Sequence, residues 1–220
     1  MARKIRASEY NGNTYFTSSL GVMKSENPTV PYAPSGMPTA LDLLLSFVVP
    51  TTGAIFSNAA GALNYQSYAY RVIWGKKDLN NNLVYGAPSQ RQIIFYDKSV
   101  VAADRNVTVS VTIPAYITTA NYYQIYRTVR SNSSVQFIDP GDETFLIYEG
   151  NPTSAQIAAG TISIEDFRPD VIKGPPLYTN SSQESIYQSN YQPPLCRDLA
   201  VFRDHMFYAY TTLKQYLDLS

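Results

Sequence analysis

Hydrophobic and polar positions alternate along much of this chain with a period of two, the spacing that places side chains on opposite faces of an extended strand. In residues 67–95, SYAYRVIWGKKDLNNNLVYGAPSQRQIIF, the side chains of Tyr68, Tyr70, Val72 and Trp74 share one face, and those of Ala69, Arg71, Ile73 and Gly75 share the other. Asp78 to Asn82 follows with residue types that tolerate left-handed backbone and bond to their own turn, so a reversal is expected there, with Leu83 to Tyr85 returning antiparallel. Gly86-Ala87-Pro88-Ser89 then breaks the ladder, because Pro88 has no N–H to donate, before Ile93 to Phe95 resumes as a strand.

The cleanest alternation is NVTVSVTIP, where Val107, Val109, Val111 and Ile113 face away from Thr108, Ser110 and Thr112. With Tyr68, Tyr70, Val72 and Trp74 they form the expected core. Leu41, Leu43, Leu45, Phe47 and Val49 mark another strand with one buried face, and NYYQIYRT (121–128), TFLIYEG (144–150) and the stretch from Ile162 add further β segments. One short helix is expected after Asn151-Pro152, with a Thr153/Gln156 capping box and Gly160 as its stop. Residues 1–36, interrupted by Asn11-Gly12-Asn13, Asn27-Pro28, Pro31 and Pro34, read as an extended N-terminal arm. A β-sandwich is expected over 37–168 and a Pro-rich connector over 169–198. Leu199 to Phe202 and Met206 to Tyr210 read as two strands across an Arg-Asp-His turn, and a third strand is expected to start near Gln215, so 199–220 is expected to open a further β domain.

Composition changes this picture in one respect. Charged residues make up 15% of the 220 positions, well below the usual value of about 25%, while there are 19 Tyr and 14 Pro. In this the chain resembles β-rich proteins that form contacts through tyrosine and backbone rather than through salt bridges. The formal net charge is zero, which argues against a dedicated nucleic-acid binder. Cys196 is the only cysteine, so there is no intrachain disulfide framework, and a small semi-buried hydrophobe is its expected role. The basic N-terminal residues have no apolar stretch behind them, as a secretory signal would, and the run Leu41 to Val49 is too short to span a bilayer; no membrane anchor is expected.

Candidate chemistry is sparse. His205, the single histidine, falls in a hairpin turn with no Gly-x-Ser-x-Gly elbow to accompany it. Asp139, Asp142, Glu143, Glu165 and Asp166 include types that form glycosidase carboxylate pairs, but Asp139-Pro140-Gly141-Asp142 is itself a turn motif. No catalytic, cofactor-binding or metal-ligating residue is expected, and no cofactor. The tyrosines offer either a sugar-stacking platform or core and interface anchors. Alternation puts Tyr123 and Ile125 on one face and Tyr122 and Tyr126 on the other, so one sandwich core cannot hide all of them. Tyr122 and Tyr126, with Pro175, Pro176, Tyr178, Pro193 and Pro194 of the connector, are the expected interface residues.

YAYRVIWGKKDLNNNLVYGAPSQ resembles the Tyr-x-Tyr-x-Val strand, turn and Gly-x-Pro-Ser exit of fibronectin type III-like modules, and NYYQIYRT resembles the Ile-Tyr-Arg-Thr strand of such modules in bacteriophage structural proteins. The order of these pieces with DPGDETFLIYEG, PTSAQIAAGTISIEDFRPD, LYTNSSQESI and QPPLCRDLAVFRDHMFYAYTT is similar to the N-terminal part of tail nozzle, or tail tubular, proteins of short-tailed phages. The resemblance implies an all-β, immunoglobulin or fibronectin III-like sandwich with a structural, non-enzymatic role, followed by a propeller-like β body that the strands from Leu199 would begin. It also implies a homo-oligomeric ring, a hexamer, that docks on other tail and portal or adaptor proteins and passes genomic DNA in transit. The protein would then be made in the host cytoplasm and reside in the virion. A β-sandwich adhesin or carbohydrate-binding module is the alternative from the residues alone.

Overall fold

The computed structural model describes residues 5–19, 21–25, 33–34, 36–40, 43–77, 81, 83–183, 190 and 192–212. The chain divides into two compact units, one made of Met1–Met37 with Tyr191–Ser220 and the other of Pro38–Asn190.

In the first unit, β1 (Ala7–Tyr10), β2 (Asn13–Ser18), β3 (Gly21–Ser25) and β4 (Ala33–Pro34) form an antiparallel sheet in that order. The described residues between 5 and 36 thus differ from the extended arm expected of them. Asn11-Gly12, read as an interruption, is a hairpin turn: both residues have positive φ, 51° and 75°, and Tyr10 pairs with Asn13 across it. Asn-Gly supplies that backbone at little steric cost, and the two-residue turn closes the strands rather than ending them.

The second unit is an all-β sandwich. Its strands are β5 (Leu44–Val48), β6 (Tyr65–Lys77), β7 (Leu83–Tyr85), β8 (Gln92–Asp97), β9 (Asn106–Thr112), β10 (Tyr122–Arg127), β11 (Ser131–Ser133), β12 (Phe145–Gly150) and β13 (Thr161–Asp166), with helix α1 (Ser154–Ala159) joining the last two. The larger sheet is centred on β6, which pairs with β10 and β11 along one edge and with β7 and β8 along the other; β12 lies beyond β10. The smaller sheet runs β13-β9-β5. The expected turn at 78–80 and 82 and the expected strand start at 41–42 lie outside the described residues. Past Tyr85 the ladder breaks at Pro88 as expected, and Ser89 rejoins it by donating its N–H to Val72 O at 2.9 Å while its Oγ accepts from Val72 N–H at 3.0 Å. Helix α1 starts with the Thr153/Gln156 capping box and stops at Gly160, whose φ of 72° is the left-handed cap that glycine adopts readily.

Between the sheets, Tyr68, Tyr70, Val72, Trp74, Val107, Val109 and Val111 are buried. Ile113 lies just past β9 and is only half-buried. The inner face is strongly aromatic: Phe56 stacks on Tyr96 with centroids 5.1 Å apart and meets Tyr68 at 5.2 Å, while Trp74 lies 5.8 Å from Tyr123. Each such ring removed from water contributes roughly 1.5–3 kcal/mol, so this layer adds substantially to the stability of the sandwich.

At the C-terminal end, β14 (Asp198–Phe202) and β15 (His205–Ala209) form a hairpin in the first unit. Arg203 and Asp204 occupy its two-residue turn, both with positive φ. Cys196 and Leu199 share a buried cluster with Val22 of β3, against which Tyr15 and Tyr208 pack. The two strands expected to open a separate domain therefore complete the core of the N-terminal sheet, because β3 has an apolar face to bury. The strand expected near Gln215 lies outside the described residues.

Candidate functional site

β6 is buried on both faces, whereas alternation alone exposes one. Its outer face carries Ile73, which forms a small core with Tyr126 and Leu177, and Tyr85, Leu146 and Tyr178 pack around it. The covering segment is the Pro-rich connector. It runs along β12, where Gly174 N–H donates to Leu146 O at 2.8 Å, Leu146 N–H to Pro175 O at 2.9 Å and Leu177 N–H to Thr144 O at 2.9 Å. The Tyr178 hydroxyl then donates to Gly86 O at 2.8 Å.

Tyr122 and Tyr126, expected at a protein interface, are 7% and 5% exposed and lie under this strap. The correction has a simple physical origin: the chain hides its second aromatic face with its own connector rather than leaving it for a partner. Tyr122 meets Tyr85 edge-on at 6.1 Å, and Tyr85 stacks on Tyr178 at 6.1 Å. Gly75 makes this possible, since a Cβ there would fall inside the Tyr122 ring. The Tyr126 hydroxyl donates to Gln124 Oε1 at 2.9 Å, and Gln124 in turn donates to Glu149. Of the other expected interface residues, Pro175 is exposed and Pro176 and Tyr178 are half-buried on the strap; Pro193 and Pro194 are half-buried in the first unit.

A buried charge cluster joins the two sheets. Arg127, the last residue of β10, directs Nη1 to Asp166 Oδ2 at 2.6 Å and Nη2 to Asp170 Oδ1 at 2.8 Å and Arg168 O at 2.8 Å. Asp166 also accepts from the Tyr70 hydroxyl at 2.8 Å and the Arg168 N–H at 3.1 Å, and the guanidinium carbon sits 4.3 Å from the Tyr68 ring centroid. Burial opposes the charge on Arg127, but Asp166, the two tyrosines and Asp170 outweigh it and raise its pKa. Burial, with Asp166 second, pushes the Tyr70 hydroxyl well above the ordinary tyrosine range. Burial is likewise the leading reason that Tyr68, Tyr122, Tyr123 and Tyr126 are raised. Every ion in this cluster is paired, which is the condition for tolerating charge in an interior. Its contacts tie the end of β10 to β13 and to the turn that follows it.

The expected non-catalytic reading of the acidic residues meets a definite geometry. Glu165 accepts from Asn106 Nδ2 at 2.8 Å and from Thr51 Oγ1 at 3.2 Å, and the Asn106 bond leads in holding its pKa below the usual range. Asp139 takes the Arg91 fork through two bonds of 2.7 Å, which lowers its pKa, and it accepts Gly141 N–H at 2.7 Å. Both carboxylates are engaged in holding loops. His205 sits just past the hairpin turn, exposed, with Nδ1 2.7 Å from Arg203 O. Among the described residues, no cluster of three or more His, Cys, Asp or Glu is arranged to hold a metal ion, and no helix is long and apolar enough to cross a membrane.

What sequence reasoning missed is an ordered apolar patch on the outer face of the larger sheet. Phe137 lies 4.8 Å from Phe95 and 4.9 Å from Tyr65, with Val135 and Ile138 exposed beside them. The loop is fixed by Ser67 Oγ donating to Ile138 O at 2.8 Å and by Arg91 gripping Asp139. Val135-Gln136-Phe137-Ile138 was the available signal: an apolar run inside a polar turn region.

Comparison with protein-family models, curated proteins and solved structures returns no match. The fold and site together define an all-β sandwich protein with a buried inter-sheet ion clamp and fixed apolar surface loops.

Proposed function

We propose that this chain is a structural assembly subunit of the tail-nozzle, or tail-tubular, type found in short-tailed bacteriophages. In this reading its sandwich is of the immunoglobulin or fibronectin III-like kind. Copies form a ring, a hexamer by the family resemblance, around the DNA exit channel of the virion and dock on neighbouring tail and portal or adaptor proteins.

The observation that carries the reading is the fixed apolar surface. Phe95 on β8 and Val135, Phe137 and Ile138 in the neighbouring loop are exposed although that loop is anchored by an ion pair and a buried hydroxyl. A rigid, exposed aromatic cluster is the surface of a subunit that neighbours cover, since monomers keep large apolar patches rare. The low charge content and neutral balance fit a channel that must pass DNA without holding it, because a basic lining would add a strong phosphate-dependent term.

Mass photometry and negative-stain microscopy of the purified chain test this. Closed rings of uniform stoichiometry support the reading. A monodisperse monomer that binds glycans saturably through its exposed aromatics overturns it in favour of the carbohydrate-binding alternative.

A further inference from the structure

The apolar patch on the outer face of the larger sheet has a rim with an excess of negative charge. Its loop continues from Val135, Phe137 and Ile138 into Asp139, Asp142 and Glu143, and all six residues are exposed. Arg91 grips Asp139 through two bonds of 2.7 Å and lies 3.3 Å from Asp142, whose side chain is still 81% exposed. One guanidinium thus stands against three carboxylates, and its bonds to Asp139 hold that carboxyl ionised by lowering its pKa. At the end of β8, Asp97 and Lys98 cancel, with the Lys98 ammonium turned to Ala59 O at 2.7 Å.

An apolar centre with an acidic rim selects its occupant. Phosphates and other anionic surfaces are repelled, and what fits is an aliphatic side chain carried between cations. This chain has such a stretch. Arg3-Lys4-Ile5-Arg6 puts three cations in four residues, the densest basic run among its 17 Lys and Arg. Arg6 is tied to the N-terminal sheet, where Thr17 N–H donates to its carbonyl at 2.9 Å, and Ile5 just before it is 67% exposed. The Arg6 side chain lies 3.7 Å from Asp198 and is still half exposed. Arg3 and Lys4, outside the described residues, bring two further charges.

We propose that the acid-rimmed patch of Phe95, Val135, Phe137 and Ile138 receives the basic segment 3–6 of a second copy of this chain, with Ile5 on the apolar centre and Arg3 and Lys4 against Asp142 and Glu143. The segment belongs to one compact unit and the patch to the other. The two surfaces of the contact therefore differ, and a contact of that kind runs head to tail and closes into a ring when the rotation between copies allows it. This inference rests on the ring reading and supplies the contact that such a ring needs.

Charge reversal in full-length chains, read by sedimentation velocity, tests this. Arg3→Glu with Lys4→Glu in one chain, and Asp142→Lys with Glu143→Lys in another, are each expected to weaken self-association about 100-fold, because like charges then face each other. An equimolar mixture of the two variants is expected to assemble like the unsubstituted protein, since each acidic segment then finds a basic patch, and each basic segment an acidic patch, on the other chain. That recovery requires both variants to be folded, and docking of a segment on the patch of its own chain cannot produce it. Assembly that proceeds equally well in each variant alone, or a mixture of folded variants that stays dissociated, overturns this contact and leaves the ring reading standing. An unsubstituted chain that is monomeric at every concentration overturns both.

Discussion

Arg127 Nη1 lies 2.6 Å from Asp166 Oδ2, with the two side chains 1% and 2% exposed, so one ion pair buried between two sheets connects β10 to β13. Removing one member leaves the other charged and without its counter-ion in the interior. Arg127→Met is expected to destabilise the sandwich by about 3–5 kcal/mol, read from urea unfolding. Arg127→Met combined with Asp166→Leu should recover much of that loss, because replacing both charges by apolar groups removes the desolvation cost as well. A double variant no more stable than the single one would assign the loss to packing instead.

The buried tyrosines set the alkaline limit. Tyr68, Tyr70, Tyr122, Tyr123 and Tyr126 all have raised pKa values in the fold, with burial as the leading cause. In the unfolded chain they begin to lose protons near pH 10, whereas the native state keeps them. Unfolding therefore releases protons, and the stability present below about pH 10 is lost as pH rises towards the folded values. The urea midpoint should fall steeply above about pH 10, and phenolate absorbance should appear together with unfolding. Early phenolate signal from all five in a folded protein would refute the burial assignment.

Gly75 is a packing position. Gly75→Ala would drive a methyl group into the Tyr122 ring beneath the strap, and an overpacked site of this kind costs roughly 1–3 kcal/mol. Tyr122→Ala in the same chain should make the Gly75→Ala change nearly neutral. Thermal unfolding of the four chains of that cycle checks the coupling.

Cys196 reports on the first unit. Its thiol is buried with Val22 and Leu199, so native protein should react with a thiol reagent only slowly. Val22→Asp buries a charge in that cluster and should accelerate labelling by more than tenfold, since even a loss of about 1.4 kcal/mol changes an opening equilibrium tenfold. Unchanged labelling would mean that the N-terminal sheet does not protect the cysteine.

The alternation in β6 and β9 and the capping box at Thr153 were readable directly, because each is a local pattern whose partners are backbone or near neighbours. Asn11-Gly12 was equally local, and was misread because a cluster of turn formers looks the same whether the chain wanders or reverses between strands. The clamp was less legible. Arg127 stands 39 residues before Asp166, and neither has a spacing that marks it; an arginine inside a run of buried aromatics was the one available hint.

The chain's own residues determined that this protein is built from β-strands, which side chains of β6 and β9 face one way, and where helix α1 begins and ends, since strand pleat and helix caps depend on neighbours a few positions apart. Only the tertiary structure decided what lies over the opposite face. Whether Tyr122 and Tyr126 meet a partner or Leu177 depends on a connector about fifty residues further on folding back along β12, and no periodicity records where such a segment docks. The same holds for Val22 and Leu199, brought together from opposite ends of the sequence because each had an apolar face that no local element could cover.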